Sequence, residues 1–177
     1  MAPTHPGLVE VVYGKGDFAS KLVSLVDLNP GEVLTKIEGA TSTSQRAYSS
    51  VQTGEHSDIE LNSDLVFSNH SCQPTVVFDM AKFEIRAGEH GLKKGQDVTF
   101  FYPSSEWDMQ QPFRCNCGSE QCLESIRGAR FLEDKVLERY WLNEHIQTLL
   151  QKRRDAGDVP SNGGSAVDSG VSVGGDA

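Results

Sequence analysis

Four cysteines carry the clearest chemistry in this 177-residue sequence. Three of them, Cys115, Cys117 and Cys122, form a C-x-C-x4-C array, and the fourth is Cys72. Structural zinc sites take four nitrogen or sulfur ligands, so the four thiolates complete one tetrahedral site with none left over. Gly118 gives the loop the freedom to fold around an ion. The sequence therefore predicts one structural zinc ion held by all four cysteines.

Three alternative arrangements of the cysteines are possible: two disulfides, free buried thiols, or a metal site that uses His70 or His90 as a ligand. Cys115 and Cys117 are too close in sequence to bridge each other readily. The N-terminus lacks the basic and apolar regions of a signal peptide, which leads us to expect an intracellular protein, cytoplasmic or nuclear. Disulfides are unusual in that reducing environment, so we favour the four-thiolate site.

Three further motifs precede the cysteine array. Gly14-Lys15-Gly16 forms a glycine turn, residues 67–75 read Phe-Ser-Asn-His-Ser-Cys-Gln-Pro-Thr, and residues 95–102 read as a strand that ends in tyrosine. In this order the motifs resemble the SET domain family of S-adenosylmethionine-dependent lysine methyltransferases. The resemblance implies a mostly β protein with the SET-domain β-clip fold: small curved sheets, a knot-like C-terminal crossing, a zinc-bound post-SET loop and a C-terminal α-helix.

The resemblance also assigns roles to residues. Tyr102 is the expected catalytic residue, because a fixed phenol can orient an amine for in-line methyl transfer. The amide of Asn69 and the backbone and ring of His70 are expected to contact the amine and adenine of the cofactor. The full set of expected cofactor contacts is Gly14, Lys15, Gly16, Asn69, His70, Tyr102 and Trp107. The expected walls of the substrate channel are Tyr48, Phe67 and Phe101.

The chain departs from the family pattern close to these residues. Phe101 stands where an acidic residue is usual, Thr75 replaces an asparagine, Val66 replaces an arginine and Gln96 replaces a glutamate. The acceptor is by default a protein lysine, and a small-molecule amine of specialised metabolism is an alternative. Two other hypotheses are an enzyme that keeps the fold without methyl transfer, and a catalytically silent binding module that uses its C-terminal helix.

The remaining elements follow from hydrophobic patterns. Strands are expected at residues 8–13, 33–37, 64–67, 75–78, 82–87 and 97–102, with an apolar stretch at 18–26 and irregular or hairpin structure at 40–58. Apolar residues spaced as on a helix predict one amphipathic helix over 133–152. We expect a SET domain at 8–112, a post-SET segment at 113–130, the helix at 131–154 and a disordered tail at 155–177.

Charge and length limit the partners. The formal net charge of -9 disfavours charge-driven binding to nucleic acid, which needs clustered lysine and arginine. No segment approaches the roughly 18 apolar residues of a membrane span, so we expect no membrane partner. A lysine-containing protein or a small amine is compatible with an acidic chain.

Overall fold

The computed structural model describes residues 2–16, 18–158 and 160. The first six strands in this part of the chain are β1 (Val9–Val12), β2 (Lys21–Ser24), β3 (Val33–Lys36), β4 (Thr41–Thr43), β5 (Ser50–Gly54) and β6 (Ser57–Glu60). The next six are β7 (Asn69–His70), β8 (Val76–Asp79), β9 (Glu84–Ala87), β10 (Thr99–Phe100), β11 (Phe113–Arg114) and β12 (Ser125–Ile126). Two α-helices follow, α1 (Asp134–Leu137) and α2 (Glu144–Asp155). Short 3-10 helices lie at Asp64–Phe67, Tyr102–Ser104 and Ala129–Phe131.

The strands form five small sheets. β1 pairs with β2, β11 pairs with β12, and two three-stranded sheets have the orders β3-β9-β8 and β4-β6-β5, all antiparallel. β7 and β10 form the fifth sheet, and this pair is parallel. Parallel pairing requires a crossover connection, which β8 and β9 supply here. The expectation of a mostly β fold made of small sheets is confirmed.

The two largest hydrophobic clusters of the described chain stabilise the fold. The larger one packs the sheets together, and at its centre the rings of Phe78 and Phe100 stack with centroids 4.0 Å apart. The smaller one joins Phe101 to Leu137, Ile146 and Leu150 of the two helices. The helical region is thus packed directly against the residue that precedes Tyr102.

Two local predictions from the sequence were wrong. Residues 64–67 form a 3-10 helix rather than a strand, because Asp64 exchanges two hydrogen bonds with Thr4, at 2.7 and 2.9 Å, and local backbone bonds close the turn. The strand expected to end at Tyr102 spans only β10, since a 3-10 turn that contains Pro103 begins at Tyr102. The hairpin structure expected within 40–58 is present as β5 and β6, and β4 extends it to a three-stranded sheet that buries Val51 and Ile59.

The single helix predicted over 133–152 is two helices separated by residues 138–143. The buried side chain of Asn143 interrupts the helix, because its amide accepts a hydrogen bond from Met80 N at 2.8 Å and donates to Phe78 O and Ser104 O at 3.0 Å. These bonds satisfy backbone groups of other segments instead of capping α2. Asn143 therefore fixes where the second helix begins.

The predicted disordered tail, 155–177, lies largely outside the described residues. Asp155 is the last residue of α2, and the described chain continues to Asp158 and includes Pro160. Neither α1 nor α2 has the length and apolarity needed to span a bilayer, and the same holds for every helix within the described ranges.

Replacing Asn143 by alanine should lower the free energy of unfolding by about 2–4 kcal/mol, because the buried Met80 N and Phe78 O each lose a partner, while Ser104 O keeps its bond from the backbone N of residue 143. Urea denaturation measures the change. Gln151→Ala is the matched control, since Gln151 is an exposed amide on α2 that bonds only to Asp155, and it should change stability by less than about 0.5 kcal/mol. Equal effects of the two substitutions would contradict the assignment.

Candidate active site

The parallel pairing of β7 with β10 brings two distant segments together. Asn69 lies opposite Thr99 and His70 opposite Phe100, and Ser71 N donates to Phe100 O at 3.1 Å. The Asn-His-Ser-Cys segment therefore runs beside the chain that leads into Tyr102. The two motifs are about 30 residues apart in the sequence, and this pairing brings them together in space.

The Tyr102 side chain is held at its hydroxyl and surrounded by rings. Its hydroxyl donates to Ser68 O at 3.1 Å, and its ring lies 4.7 Å from that of Phe100 and 5.3 Å from that of His70, centroid to centroid. Burial, reinforced by the nearby carboxylate of Glu106, raises the pKa of Tyr102 far above its ordinary value of 10. Tyr102 is therefore a neutral phenol at any physiological pH. The hydroxyl proton of Tyr102 is donated to Ser68 O, so the hydroxyl oxygen can still accept a hydrogen bond from another group.

Asn69 connects this strand to the glycine turn. Its Nδ2 donates to Ser20 O at 2.9 Å, and Ser20 Oγ in turn accepts a bond from Gly14 N at 3.4 Å. A Cβ on Gly14 would lie 2.2 Å from Ala19 O, so glycine is required there for the turn itself to close. At Gly16, with φ +106°, nothing lies within 4 Å of the Cβ position, so open space faces the turn.

The imidazole of His70 links Tyr102 to a cysteine. The backbone N of Tyr102 donates to His70 Nδ1 at 3.1 Å, so in the neutral ring Nε2 carries the hydrogen. Nε2 lies 3.3 Å from Cys72 Sγ and donates to it. Burial lowers the pKa of His70 to about 4, which keeps the ring neutral. Both ring nitrogens of His70 thus have protein partners, and the contact of this residue with the cofactor that the family resemblance implies remains a prediction.

The four cysteines lie together, as the sequence predicts. The sulfur atoms of Cys72, Cys115, Cys117 and Cys122 are within 4.8 Å of one another, and none is in a disulfide. Four thiolates around one ion at about 2.3 Å would have sulfurs about 3.8 Å apart, which this cluster can accommodate. Burial raises the pKa of Cys72 to about 11, so four thiolates would need a cation to balance them. The cluster could therefore hold one metal ion.

Backbone N–H groups and Tyr140 surround the cysteine cluster. Leu123 N donates to Cys72 Sγ and Glu124 N donates to Cys122 Sγ, both at 3.4 Å. The hydroxyl of Tyr140 donates to Cys72 O at 2.9 Å. The ring of Tyr140 also stacks on Phe101 with centroids 3.6 Å apart. The segment between α1 and α2 thus contacts both the cysteine cluster and the residue before Tyr102.

The aromatic residues expected at the substrate channel or over the cofactor fall into two groups. Phe101 is 2% exposed and packs in the core beneath Tyr140, and its expected role as a channel wall remains a prediction. Trp107 packs against the smaller hydrophobic cluster, which contains Phe101, and the Arg153 guanidinium lies 5.9 Å from the centroid of its ring. Phe67 is half-buried and contacts Tyr13, while Tyr48 is exposed and contacts Phe18. Lys15 is also exposed.

Several residues that organise the site give no signal in the sequence. Ser68 acts through its backbone carbonyl, and so does Ser20 toward Asn69, and any residue type could supply these two carbonyls. Tyr140 falls on the apolar face of the predicted helix, so the sequence pattern indicates core packing and not a hydrogen bond to the backbone of Cys72. Only the folded structure reveals these contacts.

Glu106 is a buried carboxyl that ties β5 to the chain after Tyr102. Its Oε1 accepts bonds from Gln52 N at 2.8 Å and from the Ser105 hydroxyl at 3.3 Å, and Trp107 N donates back to the Gln52 side chain at 2.9 Å. Burial raises the pKa of Glu106 to about 7, although these hydrogen bonds and the Arg46 guanidinium oppose the shift. The group is therefore partly protonated near neutral pH.

Comparisons with known proteins agree with this architecture. The methyltransferase flvH of Aspergillus flavus is 48% identical over 149 residues, which cover 84% of each chain. Two crystal structures of the SET-domain protein KRYPTONITE superpose on this chain, with TM-scores of 0.50 and 0.51. The first contains mCHH DNA, an H3(1-15) peptide and SAH, and the second contains mCHG DNA and SAH. Both are 16% identical and cover 66% of this chain, which spans only 29% and 28% of theirs. No protein-family model matches the chain. The fold is that of a SET domain.

The raised pKa of Glu106 makes stability depend on pH. The folded state keeps a proton that the unfolded state loses near pH 4.5, so the stabilisation is complete below that pH and is lost as the pH rises through 7. From pH 5 to pH 8 the wild type should lose about 2–3 kcal/mol of unfolding free energy relative to Glu106→Gln. Urea denaturation at both pH values measures this difference.

The glutamine variant is the internal control for other titrating groups. Burial lowers the pKa of His70 and of His145, which favours folding as the pH rises through the acidic range, and both proteins share that effect. A difference between the two proteins that stays constant from pH 5 to pH 8 would contradict the prediction.

Proposed function

Because the chain belongs to the family of the Aspergillus flavus methyltransferase flvH, we propose that it transfers a methyl group from S-adenosylmethionine to an amine. Protein lysine is the default acceptor, and a small-molecule amine is the alternative. The observation that carries the proposal is the meeting of three segments at one place: the glycine turn, Asn69 and Tyr102. Residues 8–112 form the SET domain in this proposal, and residues 113–130 form the post-SET segment.

The residues at the glycine turn fit S-adenosylmethionine. The amide of Asn69 uses its nitrogen to bond Ser20 O, and within the described chain its Oδ1 has no partner, so it can accept from the cofactor's ammonium group. The exposed ammonium of Lys15 can pair with a carboxylate. The space above Gly16 leaves room for the backbone of the turn to approach the ligand.

When bound, the cofactor supplies a methyl group on a positively charged sulfur. The acceptor nitrogen uses its lone pair to form the N–C bond, the C–S bond breaks with its electron pair left on sulfur, and one N–H proton leaves to solvent. Tyr102 contributes orientation, since its oxygen accepts a hydrogen bond from the amine while its proton stays on Ser68 O. Its raised pKa makes it unsuited to act as a base, so the amine must arrive neutral.

One zinc ion held by Cys72, Cys115, Cys117 and Cys122 completes the proposal. The sulfur separations and the N–H groups that point at sulfur support a structural zinc site of the post-SET type. The ion would join β11, β12 and their loop to the strand that carries Asn69. His70 bonds to Cys72, and through Tyr102 N it makes the metal site and the catalytic tyrosine parts of one rigid unit.

Two substitutions should separate cofactor binding from turnover. Asn69→Ala should weaken S-adenosylmethionine binding about tenfold or more, because the turn loses its tie to β7 and the cofactor loses an acceptor. Tyr102→Phe should leave that affinity within about threefold but slow methyl transfer on the order of 100-fold. Calorimetry measures binding, and release of S-adenosylhomocysteine measures turnover with a lysine peptide or phenethylamine as acceptor.

Asn29→Ala is the matched control, since Asn29 is an exposed amide whose side chain bonds only to Glu32. It should match wild type in both measurements. Undetectable binding of S-adenosylmethionine to the wild-type protein would contradict the proposed activity, as would full turnover by Tyr102→Phe. Turnover that a phosphate or metabolite substrate supports without the cofactor would favour an enzyme that keeps the fold but does other chemistry.

Metal analysis should find one zinc per chain, and Cys122→Ser should abolish stoichiometric zinc. Removal of zinc by a chelator should cost several kcal/mol of stability and also weaken S-adenosylmethionine binding, because the His70 bridge loses its anchor. Ser125→Ala, an exposed residue of β12, is the control and should keep its zinc. A metal-free protein with unchanged melting temperature and cofactor affinity would contradict the zinc assignment.

A further inference from the structure

Exposed apolar side chains are concentrated beside the proposed active site. Tyr13, Phe18 and Tyr48 are the most exposed large apolar residues of the described chain, at 72%, 69% and 71%. Val12 and Val66 are also exposed, and each is adjacent in sequence to an aromatic residue of the same region. Five of the eight exposed large apolar residues thus lie on three short segments. An apolar concentration of this kind indicates a binding surface rather than ordinary solvent exposure.

The rings form two edge-to-face pairs. Tyr13 meets Phe67 with centroids 5.9 Å apart and an interplanar angle of 76°, and Phe18 meets Tyr48 at 5.6 Å and 88°. Edge-to-face contact uses the edge of one ring, which leaves other ring faces free for an additional ring or an alkyl chain. We call Tyr13, Phe18, Tyr48 and Phe67 the aromatic patch.

The aromatic patch is continuous with the proposed active site through the backbone. Tyr13 directly precedes Gly14 of the glycine turn. Phe67 directly precedes Ser68, whose carbonyl oxygen accepts the bond from the Tyr102 hydroxyl. Because the rings of Tyr13 and Phe67 are in contact, a molecule that lies on them would contact both the segment that leads into the glycine turn and the segment whose carbonyl holds Tyr102.

The charges around the aromatic patch do not suit a lysine-rich peptide. The sequence of the turn supplies Lys15 and Asp17, one charge of each sign. The guanidinium of Arg46, near Tyr48 in sequence, is already paired with Asp58 at 3.0 Å and also donates to Asp108 O. On the described segments beside the patch, Asp58 is paired with Arg46, and Asp64 is buried and accepts a bond from Thr4 N, so neither carboxylate is available to pair with a basic side chain.

We infer that the aromatic patch binds the carbon skeleton of the methyl acceptor, and that the acceptor is a small amine with an apolar skeleton rather than a lysine within a basic peptide. This inference rests on the proposed function and specifies its substrate class. The rings supply apolar contact area, and Tyr102 supplies the one polar contact that orients the nitrogen. A mostly apolar surface with one or two placed polar groups is the usual composition of a small-molecule site.

Nuclear magnetic resonance with ring-labelled phenylalanine and tyrosine tests the inference directly. Phenethylamine and cyclohexylmethylamine should shift the ring signals of Tyr13, Phe18 and Tyr48 saturably, whereas putrescine and a lysine-rich peptide should not. Phe18→Ala and Tyr48→Ala should each weaken phenethylamine binding about tenfold.

Phe83→Ala is a closely matched control. Phe83 is an exposed phenylalanine with a left-handed backbone, φ 50°, as Phe18 has φ 57°, and it lies between β8 and β9, away from the patch segments in sequence. It should bind phenethylamine as wild type does. The inference is overturned if neither apolar amine binds saturably, if Phe18→Ala binds like wild type, or if the lysine-rich peptide alone shifts the patch signals.

Two further measurements distinguish acceptor binding from cofactor binding and from self-association of the chain. Calorimetry with S-adenosylmethionine on the same samples reports on the proposed function independently, so loss of cofactor binding with intact amine binding would overturn the methyltransferase assignment only. Sedimentation of wild type and Phe18→Ala tests whether a second copy of the chain covers the patch. A dimer that this substitution dissociates would overturn the acceptor assignment.

Discussion

The short parallel pairing of β7 with β10 is the contact through which the rest of the site is arranged. It fixes Asn69 toward the glycine turn, since successive strand side chains point to opposite faces, and it directs the ring of His70 toward Tyr102 and Cys72. Two residue pairs make a weak ladder alone. The His70 imidazole reinforces it, because it accepts from one strand's continuation and donates to the cysteine at the end of the other.

The C-terminal helices act on the same place from outside the sheets. Tyr140 stacks on Phe101 and bonds to Cys72 O, and Asn143 satisfies Ser104 O directly after the turn that begins at Tyr102. The salt bridge between Arg153 and Asp134 joins the two helices, and Arg153 also donates to Arg130 O and Leu132 O. The strand pairing, the cysteine cluster and the helices therefore all make contacts within a few residues of Tyr102. Phe67 of the aromatic patch directly precedes Ser68, whose carbonyl oxygen accepts the bond from the Tyr102 hydroxyl.

The sequence predicted the parts of the site that depend on residue type. Four cysteines with zinc-type spacing indicate a metal site, and they do lie together. The order of the motifs also predicted the fold correctly. The functions of individual site residues, including Tyr102 and Asn69, remain predictions.

The features that the sequence did not reveal depend on contacts between distant segments. The protonation of His70 is set by a backbone N–H of residue 102, and the break between α1 and α2 is set by what Asn143 contacts on β8 and after Tyr102. The residues from Val136 to Leu150 keep a helical apolar period across that break, so periodicity alone could not locate it. Phe101 is covered by Tyr140, which is another contact between distant segments that the sequence does not reveal.

In the proposed function, the zinc site and the S-adenosylmethionine site are coupled through His70, which bonds to Cys72 Sγ and accepts a bond from Tyr102 N. Native mass spectrometry of the purified protein, before and after addition of the cofactor, reports on both sites at once. We expect a species that carries one zinc ion and one nucleoside cofactor per chain, and loss of the cofactor from ions that have lost zinc. A zinc-free chain that still retains the cofactor, or a zinc-bound chain that never acquires it, would show that the two sites are not coupled in this way.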